Sequence, residues 1–275
     1  MLVDLHLHSL KSDGIYSPEE IVKIAYSNGI KTIALSDHDT SSGLIEAESF
    51  SKKLGLSFYK GIEFTAHITE DSYEHILGYN FFDLKDIDIY LKKLRYERIE
   101  LISNYIYVLN NNGFNISFEE VKNLTPGEHL TIMHVAKWLN NNYPIYNGKD
   151  SYSLFIGTKG KYHIPEKCHY CTEIISLIHK AGGIAVLAHP FRYHPEFKED
   201  LYTFENHVSF LKQIGLDGIE AYYGTHSKRD IQICNYIARK YQLIVTGGSD
   251  FHGWKDSVPM GIEVPDTIIS NFLNS

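Results

Sequence analysis

The chain has 275 residues, 43% hydrophobic and 22% charged, which suits one large domain or a domain carrying a substantial insertion. Its 34 acidic and 26 basic residues leave a net charge of −8, which argues against a surface that grips duplex nucleic acid by neutralising phosphates. Only three cysteines occur, and no basic leader with an apolar run or membrane-length apolar stretch is present, so the expectation is a cytoplasmic chain without a membrane span.

Residues 1–5 form a short apolar strand. Ser17-Pro18-Glu19-Glu20 then combines an N-cap serine, a proline at the first helical position and a capping-box glutamate, predicting a helix that stops near Gly29. Lys31 to Ser36 is a β-rich run, a helix follows from about Ser42 to Leu54, and Leu56 to Ile62 is the third strand. A polar turn near Thr69 to Ser72 folds the chain back into a strand from His75 to Tyr79. Strand signals then fade from about Lys85 to Gly160. Residues 86–111 place Ile87, Leu91, Leu94, Ile99, Ile102 and Ile106 at mostly helical intervals, and shorter helices follow near 117–124 and 131–142. Alternation resumes with helix 172–181, strand 184–188, helix 204–214, strand 218–222, helix 226–241 and strand 243–246. The organisation this predicts is α/β: a β/α barrel-like domain on 1–84 and 166–275, interrupted by a helical insertion on 85–165.

Polar residues collect where those strands end. Asp4-Leu5-His6-Leu7-His8 closes the first strand, with His6 and His8 pointing the same way and Asp13 in the next loop. Ser36-Asp37-His38-Asp39 closes the second strand and Glu63 the third, and His75 opens the strand that returns towards it. Ala188-His189-Pro190 closes a later strand, and Ser249-Asp250-Phe251-His252 the last. The C-terminal ends of β/α strands share one face, so six histidines and three carboxylates would converge there. A lone His-x-His is more often two tolerated polar residues than a ligand pair; nine such residues at one end of successive strands are hard to obtain by accident. Imidazole and carboxylate without thiolate suit Zn, Mn or Fe. Cys168-His169-Tyr170-Cys171 is a single pair without a partner pair, and reads as structural.

The ordered set DLHLHS–SDG, SDHD, GIEFT, EHILGY, AHP and GSDFHG resembles the polymerase and histidinol phosphatase (PHP) superfamily over roughly 1–84 and 166–275. The resemblance implies a distorted seven-stranded β/α barrel, a metal-dependent phosphoesterase activity and two to three divalent ions in the cleft. It implies His6, His8, Glu63 and Asp250 on one ion, Glu63 bridging to a second held by His75 and His189, and Asp13, His38 and His252 on a third. Ions sharing Glu63 would bridge a water and lower its pKa to give hydroxide near neutral pH, and a phosphate bound through its oxygens would present phosphorus to it in line with the leaving oxygen. Asp4, Asp37 and Asp39 read as acceptors that fix imidazole tautomers, or as a helix cap for Asp39.

Arg192, just beyond His189, is a candidate to touch phosphate or leaving group, against the alternative of a surface arginine. His226, after the next strand end, is a candidate to protonate the leaving oxygen, against that of a residue that starts a helix. Within the superfamily, the length and the helical insertion resemble the branch acting on nucleotides. That implies removal of a phosphate from a 3′,5′-bisphosphonucleoside or another small nucleotide, or trimming of short single-stranded oligonucleotides from the 5′ end. Duplexes would be excluded by the insertion acting as a cap. Two alternatives stand beside this: a histidinol-phosphate phosphatase on the same cluster, and a non-catalytic metal-stabilised module.

Overall fold

A computed structural model describes residues 1–70, 72–125, 127–143, 150–255 and 258–268. Asp71, in the predicted polar turn, lies outside them. The chain divides into two compact units, Met1–Ile89 with Cys168–Ser275, and Tyr90–Lys167. Among the described residues no helix is long and apolar enough to cross a membrane.

The first unit is organised by one sheet. Its strands are β1 (Leu2–Asp4), β2 (Thr32–Leu35), β3 (Ser57–Ala66), β4 (Glu74–Tyr79), β5 (Ile184–Leu187), β6 (Gly218–Tyr223), β7 (Ile244–Gly248) and β8 (Ile262–Glu263), in spatial order β7-β6-β5-β4-β3-β2-β1-β8. β1, β2 and β3 pair in parallel, as do β5, β6 and β7. β4 runs against both its neighbours. The Leu5 N–H donates to the Gly247 carbonyl at 3.1 Å, so the β7 edge meets the chain leaving β1 and the sheet nearly closes into a barrel. The two-residue β8 adds an eighth strand, antiparallel to β1, that two residues of sequence give no period to reveal.

All four residues of β2 and all six of β4 are buried, as strands covered on both faces should be. Val3, Leu5, Ala34, Leu77, Tyr79, Val186 and Ala188 share one core cluster. The Tyr79 hydroxyl within it donates to the Leu5 carbonyl at 2.7 Å. Helices α1 (Pro18–Ser27), α2 (Leu44–Leu54), α6 (Cys171–Lys180), α7 (Leu201–Gln213) and α8 (Lys228–Lys240) follow the predicted alternation to within a few residues. Ser17 and Glu20 form the reciprocal capping box at the start of α1. β3 runs four residues past the predicted end at Ile62, because Glu63 to Ala66 pair with β4.

The second unit has its own core. The long helix α3 (Lys85–Asn111), within which the division falls, is followed by α4 (Phe118–Lys122), α5 (Ile132–Asn142) and a π-helical turn at Tyr152–Ile156. Ile102, Tyr105, Leu109, Val121, Val135, Leu139 and Ile156 are buried together. Tyr105 both donates to the Ile164 carbonyl and accepts the Ile164 N–H, each at 3.0 Å. Reciprocal caps, Ser117 with Glu120 and Thr131 with His134, start α4 and α5.

Candidate metal centre

The chain beyond β1 keeps its alternation, so Leu5 and Leu7 bury in the core while His6 and His8 turn to the other side, all four fully enclosed. It stays paired with the segment after β7: the Asp250 N–H donates to the His6 carbonyl at 2.9 Å, and the His8 N–H to the Phe251 carbonyl at 3.0 Å. This close approach depends on Gly248, where a Cβ would lie 2.2 Å from the His6 Cβ and 2.6 Å from its backbone nitrogen. Gly248→Ala is therefore expected to lower stability by about 1–3 kcal/mol through overpacking. Thermal denaturation checks this, and an unchanged melting temperature would contradict it.

On the other side, His38 bridges to Glu63 in parallel register, and Thr65 stands opposite His75. Glu63 and His75 thus share a face of the β3–β4 hairpin. Ile76 pairs with Leu187, which puts His189 just past the end of β5. Asp39, His189 and Asp250 adopt φ of +49°, +24° and +58°, a left-handed region that costs a non-glycine residue energy and that concentrates at functional sites.

The result is a cluster centred on Glu63. Its Oε1 is 2.7 Å from His75 Nδ1 and 2.8 Å from His189 Nε2. Its Oε2 is 3.1 Å from His6 Nε2, 3.2 Å from His8 Nε2 and 3.1 Å from His38 Nδ1. Asp250 Oδ1 adds contacts of 3.1 Å to His8 and 3.5 Å to His6. Asp13 Oδ1 lies 3.3 Å from His252 Nε2 and 3.7 Å from His8 Nδ1. All nine residues singled out in the sequence meet here. Three groups have ligand atoms mutually within 4.8 Å: His6, His8, Glu63 and Asp250; His8, Asp13, His38 and His252; and His38, Glu63 and His75.

A metal fits this donor set on a direct observation. His6 Nε2, His8 Nε2, Asp13 Oδ1, Glu63 Oε2 and Asp250 Oδ1 are buried, face one another and make no hydrogen bond. Each buried polar atom left unsatisfied costs about 1–3 kcal/mol, and a cation among them removes that cost. Burial pushes the Glu63 carboxyl up, but His75, His38 and His6 overcome it and hold the group well below the usual carboxylate range. Burial pushes the His8 imidazole down, yet Asp250 and Glu63 raise it to about 10.

Sequence reasoning missed the residues that aim these ligands. Glu220, fully buried on β6, lies 3.0 Å from His6 Nδ1 with one oxygen and accepts the His189 N–H at 2.9 Å with the other. A carboxylate accepts, so His6 Nδ1 carries a hydrogen towards Glu220, which leaves Nε2, on the Glu63 side, as the nitrogen that would ligate an ion. The signal was a lone acid between Ile219 and Ala221 in an otherwise apolar strand. Tyr223 donates to Asp250 Oδ2 at 2.9 Å, leaving Oδ1 to the histidines. The Tyr73 and Tyr193 hydroxyls lie 3.3 and 3.5 Å from His75 Nε2.

The aspartates expected to orient imidazoles do other work. Asp4 accepts from the Ser249 N–H and hydroxyl and from the Gly261 N–H, fastening β1 to the segments after β7. Asp37 accepts from the Ser9 N–H and from the Ser9 and Ser12 hydroxyls. Asp39 takes both donors of Thr65, while α2 starts from Gly43 rather than from Asp39. Nor is the Cys168–Cys171 segment a reactive pair: its backbone bridges to His67, and burial with Glu74 nearby pushes the Cys171 thiol up to about 12.

Arg192 pairs with Asp250 and donates to the Tyr223 hydroxyl at 3.2 Å. It also lines a cavity of about 480 Å³ that takes in Asp13, Asp250 and His252, with Lys198, Lys255 and Trp254 on its walls. His226 reaches the same cavity, but its geometry favours packing. Its Nδ1–H donates to the Ala221 carbonyl at 2.9 Å, its Nε2 is buried without a partner, and its ring rests on Phe191 and Tyr223. Burial lowers its pKa, against the opposing pull of the Ala221 carbonyl, Glu220 and Asp230.

The profile of the PHP domain matches residues 4–216. The chain belongs to the PHP family. A 5′-3′ exoribonuclease of Haemophilus influenzae is 32% identical to this PHP chain, over 97% of this chain and 96% of the relative. A phosphoribosyl 1,2-cyclic phosphate 1,2-diphosphodiesterase of Eggerthella lenta is 29% identical, over 96% and 100%. A 3′,5′-nucleoside bisphosphate phosphatase of Chromobacterium violaceum is 29% identical, over 91% and 87%. Among solved structures, a chain from Bifidobacterium adolescentis assigned as a metal-dependent phosphoesterase superposes with a TM-score of 0.78 at 26% identity, covering 98% of this chain and 95% of that one. This PHP chain is a metal-dependent hydrolase of phosphoester bonds.

Proposed function

We propose that the nine clustered side chains hold two or three divalent ions, Mn, Fe or Zn, and that the substrate is a phosphomonoester of a small nucleotide. The observation that carries this is the convergence of buried imidazole and carboxylate atoms on Glu63, several of them without a hydrogen bond, beside a cavity walled by Arg192, Lys198 and Lys255. His6, His8, Glu63 and Asp250 would hold one ion, Glu63, His75 and His189 a second, and Asp13, His38 and His252 a third. When bound, such ions supply the activation of water and the charge neutralisation that phosphoryl transfer needs.

The protein's own groups do the rest. Glu220 keeps His6 and the His189 backbone in place, and Tyr223 fixes which Asp250 oxygen faces the cluster. Arg192 bridges the cluster and the cavity, so its guanidinium meets phosphoryl or leaving oxygens. Lys255, with Lys198 beside Asp230, offers positive charge to a second phosphate, which a 3′,5′-bisphosphonucleoside carries and histidinol phosphate does not. A second reading, removal of nucleotides from the 5′ end of short oligonucleotides, draws support from the exoribonuclease of Haemophilus influenzae.

The test is a panel of 3′,5′-bisphosphonucleosides, mononucleotides, histidinol phosphate and short 5′-phosphorylated oligonucleotides, each assayed with Mn added, alongside elemental analysis. We expect two or three ions per chain and a preference for the bisphosphonucleoside over the mononucleotide of about tenfold, roughly 1.4 kcal/mol. Less than one ion per chain after supplementation would overturn the metal assignment. Histidinol phosphate as the best substrate would overturn the nucleotide reading.

A further inference from the structure

Trp254 is half exposed on the wall of the cavity that takes in Asp13, Asp250 and His252. An indole is a costly group to leave in water, and here it stands two residues from a member of the metal cluster. Its position is set by Gly253, whose φ of +79° turns the chain, and where a Cβ would come within 2.5 Å of the Tyr16 ring. The turn brings the indole back to 5.4 Å from the His252 imidazole at 52°. A group held at His252 is therefore followed, within one ring's breadth, by an open aromatic face.

Arg192, Lys198 and Lys255 bring positive charge to the same wall, Arg192 paired with Asp250 and Lys198 with Asp230. At about 480 Å³ the cavity is larger than a phosphate needs and falls in the range of small-molecule sites, roughly 300–1,000 Å³. An anion-binding end beside one exposed aromatic plane is the chemistry that recognises a phosphate joined to a flat heterocycle.

We propose that Trp254 is the platform on which the nucleobase of the substrate stacks, making it the residue that separates nucleotides from phosphoesters lacking a base. The inference rests on the phosphoesterase reading of the same site and adds the element that reads the substrate's aromatic half. Stacking tolerates any base, since each has a π-face, so Trp254 selects for the presence of a base rather than its identity.

The test uses the full chain loaded with Mn, with Trp254→Ala and Trp254→Phe compared with the wild type on 3′,5′-bisphosphoadenosine and on ribose 5-phosphate. Trp254→Ala is expected to lower the ratio of kcat/KM for the nucleotide over the sugar phosphate by about tenfold, and Trp254→Phe to retain most of it. The second arm is fluorescence. The chain has two tryptophans, and Trp138 is buried in the second unit's core, so titration with AMP should quench wild-type emission through Trp254 and leave Trp254→Phe unquenched. A ratio within twofold of the wild type, or equal quenching of the two proteins, would overturn the proposal. If the wild type hydrolyses neither ester, the phosphoesterase reading fails, while the titration still decides whether Trp254 receives a base.

Discussion

Replacing Glu63 with glutamine is expected to lower turnover by more than about a hundredfold, beyond the 10–100-fold typical of losing a partner outside the ligand set. Glu63 is fully buried and spends both oxygens on imidazoles, His75 and His189 on one side and His6, His8 and His38 on the other. Glutamine keeps the shape but offers one acceptor and one N–H₂. Whichever way the amide turns, one set of imidazoles faces a donor where it had an anion, and the shared negative charge is gone. The change should appear together in kcat and in bound metal, while circular dichroism stays that of a folded α/β protein. A variant that keeps more than about a tenth of wild-type activity at saturating metal, a loss of under roughly 1.4 kcal/mol, would show that Glu63 is not the shared ligand.

Glu220→Gln is expected to weaken metal binding by about 10- to 100-fold without removing a proposed ligand. The two Glu220 oxygens serve two donors, the His6 ring and the His189 N–H. A glutamine satisfies one and opposes its own N–H₂ to the other, leaving a buried donor unpaired at a cost of roughly 1–3 kcal/mol. With the hydrogen on His6 Nδ1 no longer fixed, the ring divides between tautomers and Nε2 offers its lone pair to an ion only part of the time. Metal titration by calorimetry and thermal melting in chelator separate the two effects. Wild-type affinity in Glu220→Gln would mean that His6 is oriented by its backbone alone.

Much of this was legible before any coordinates. The cluster residues could be read because they fall at or near the ends of the expected strands, Asp13 in the loop after one, and strand ends in a β/α sheet share a face whatever the details of twist. Period and caps placed the helices, since Ser17 with Glu20 and Ser117 with Glu120 announce themselves locally. The residues that hold the ligands could not be read in this way. Glu220 and Asp4 both look like single acids in apolar strands, and only long-range pairing decides that one takes an imidazole and the other three groups some 250 residues away. The setting of His226 is hidden in the same way, because nothing in its neighbours tells that its Nδ1 turns back to the Ala221 carbonyl. Trp254 was passed over because an isolated tryptophan after a metal motif has no period and no partner in sequence.

The bonds from Asp4 to Ser249 and Gly261 also set the order in which the molecule can be made. A chain synthesised from its N-terminus presents His6, His8, Asp13, His38, Glu63 and His75 within its first 75 residues, and must wait for His189, Asp250 and His252. Until then β1 lacks its partner after β7, and the early strands expose edges and six of the nine proposed metal donors to the surroundings. The helical unit has its own core, and all of its residues are made before β5. Maturation is thus a late, cooperative closure, and the nascent barrel is the form most open to mispairing or capture of a wrong ion.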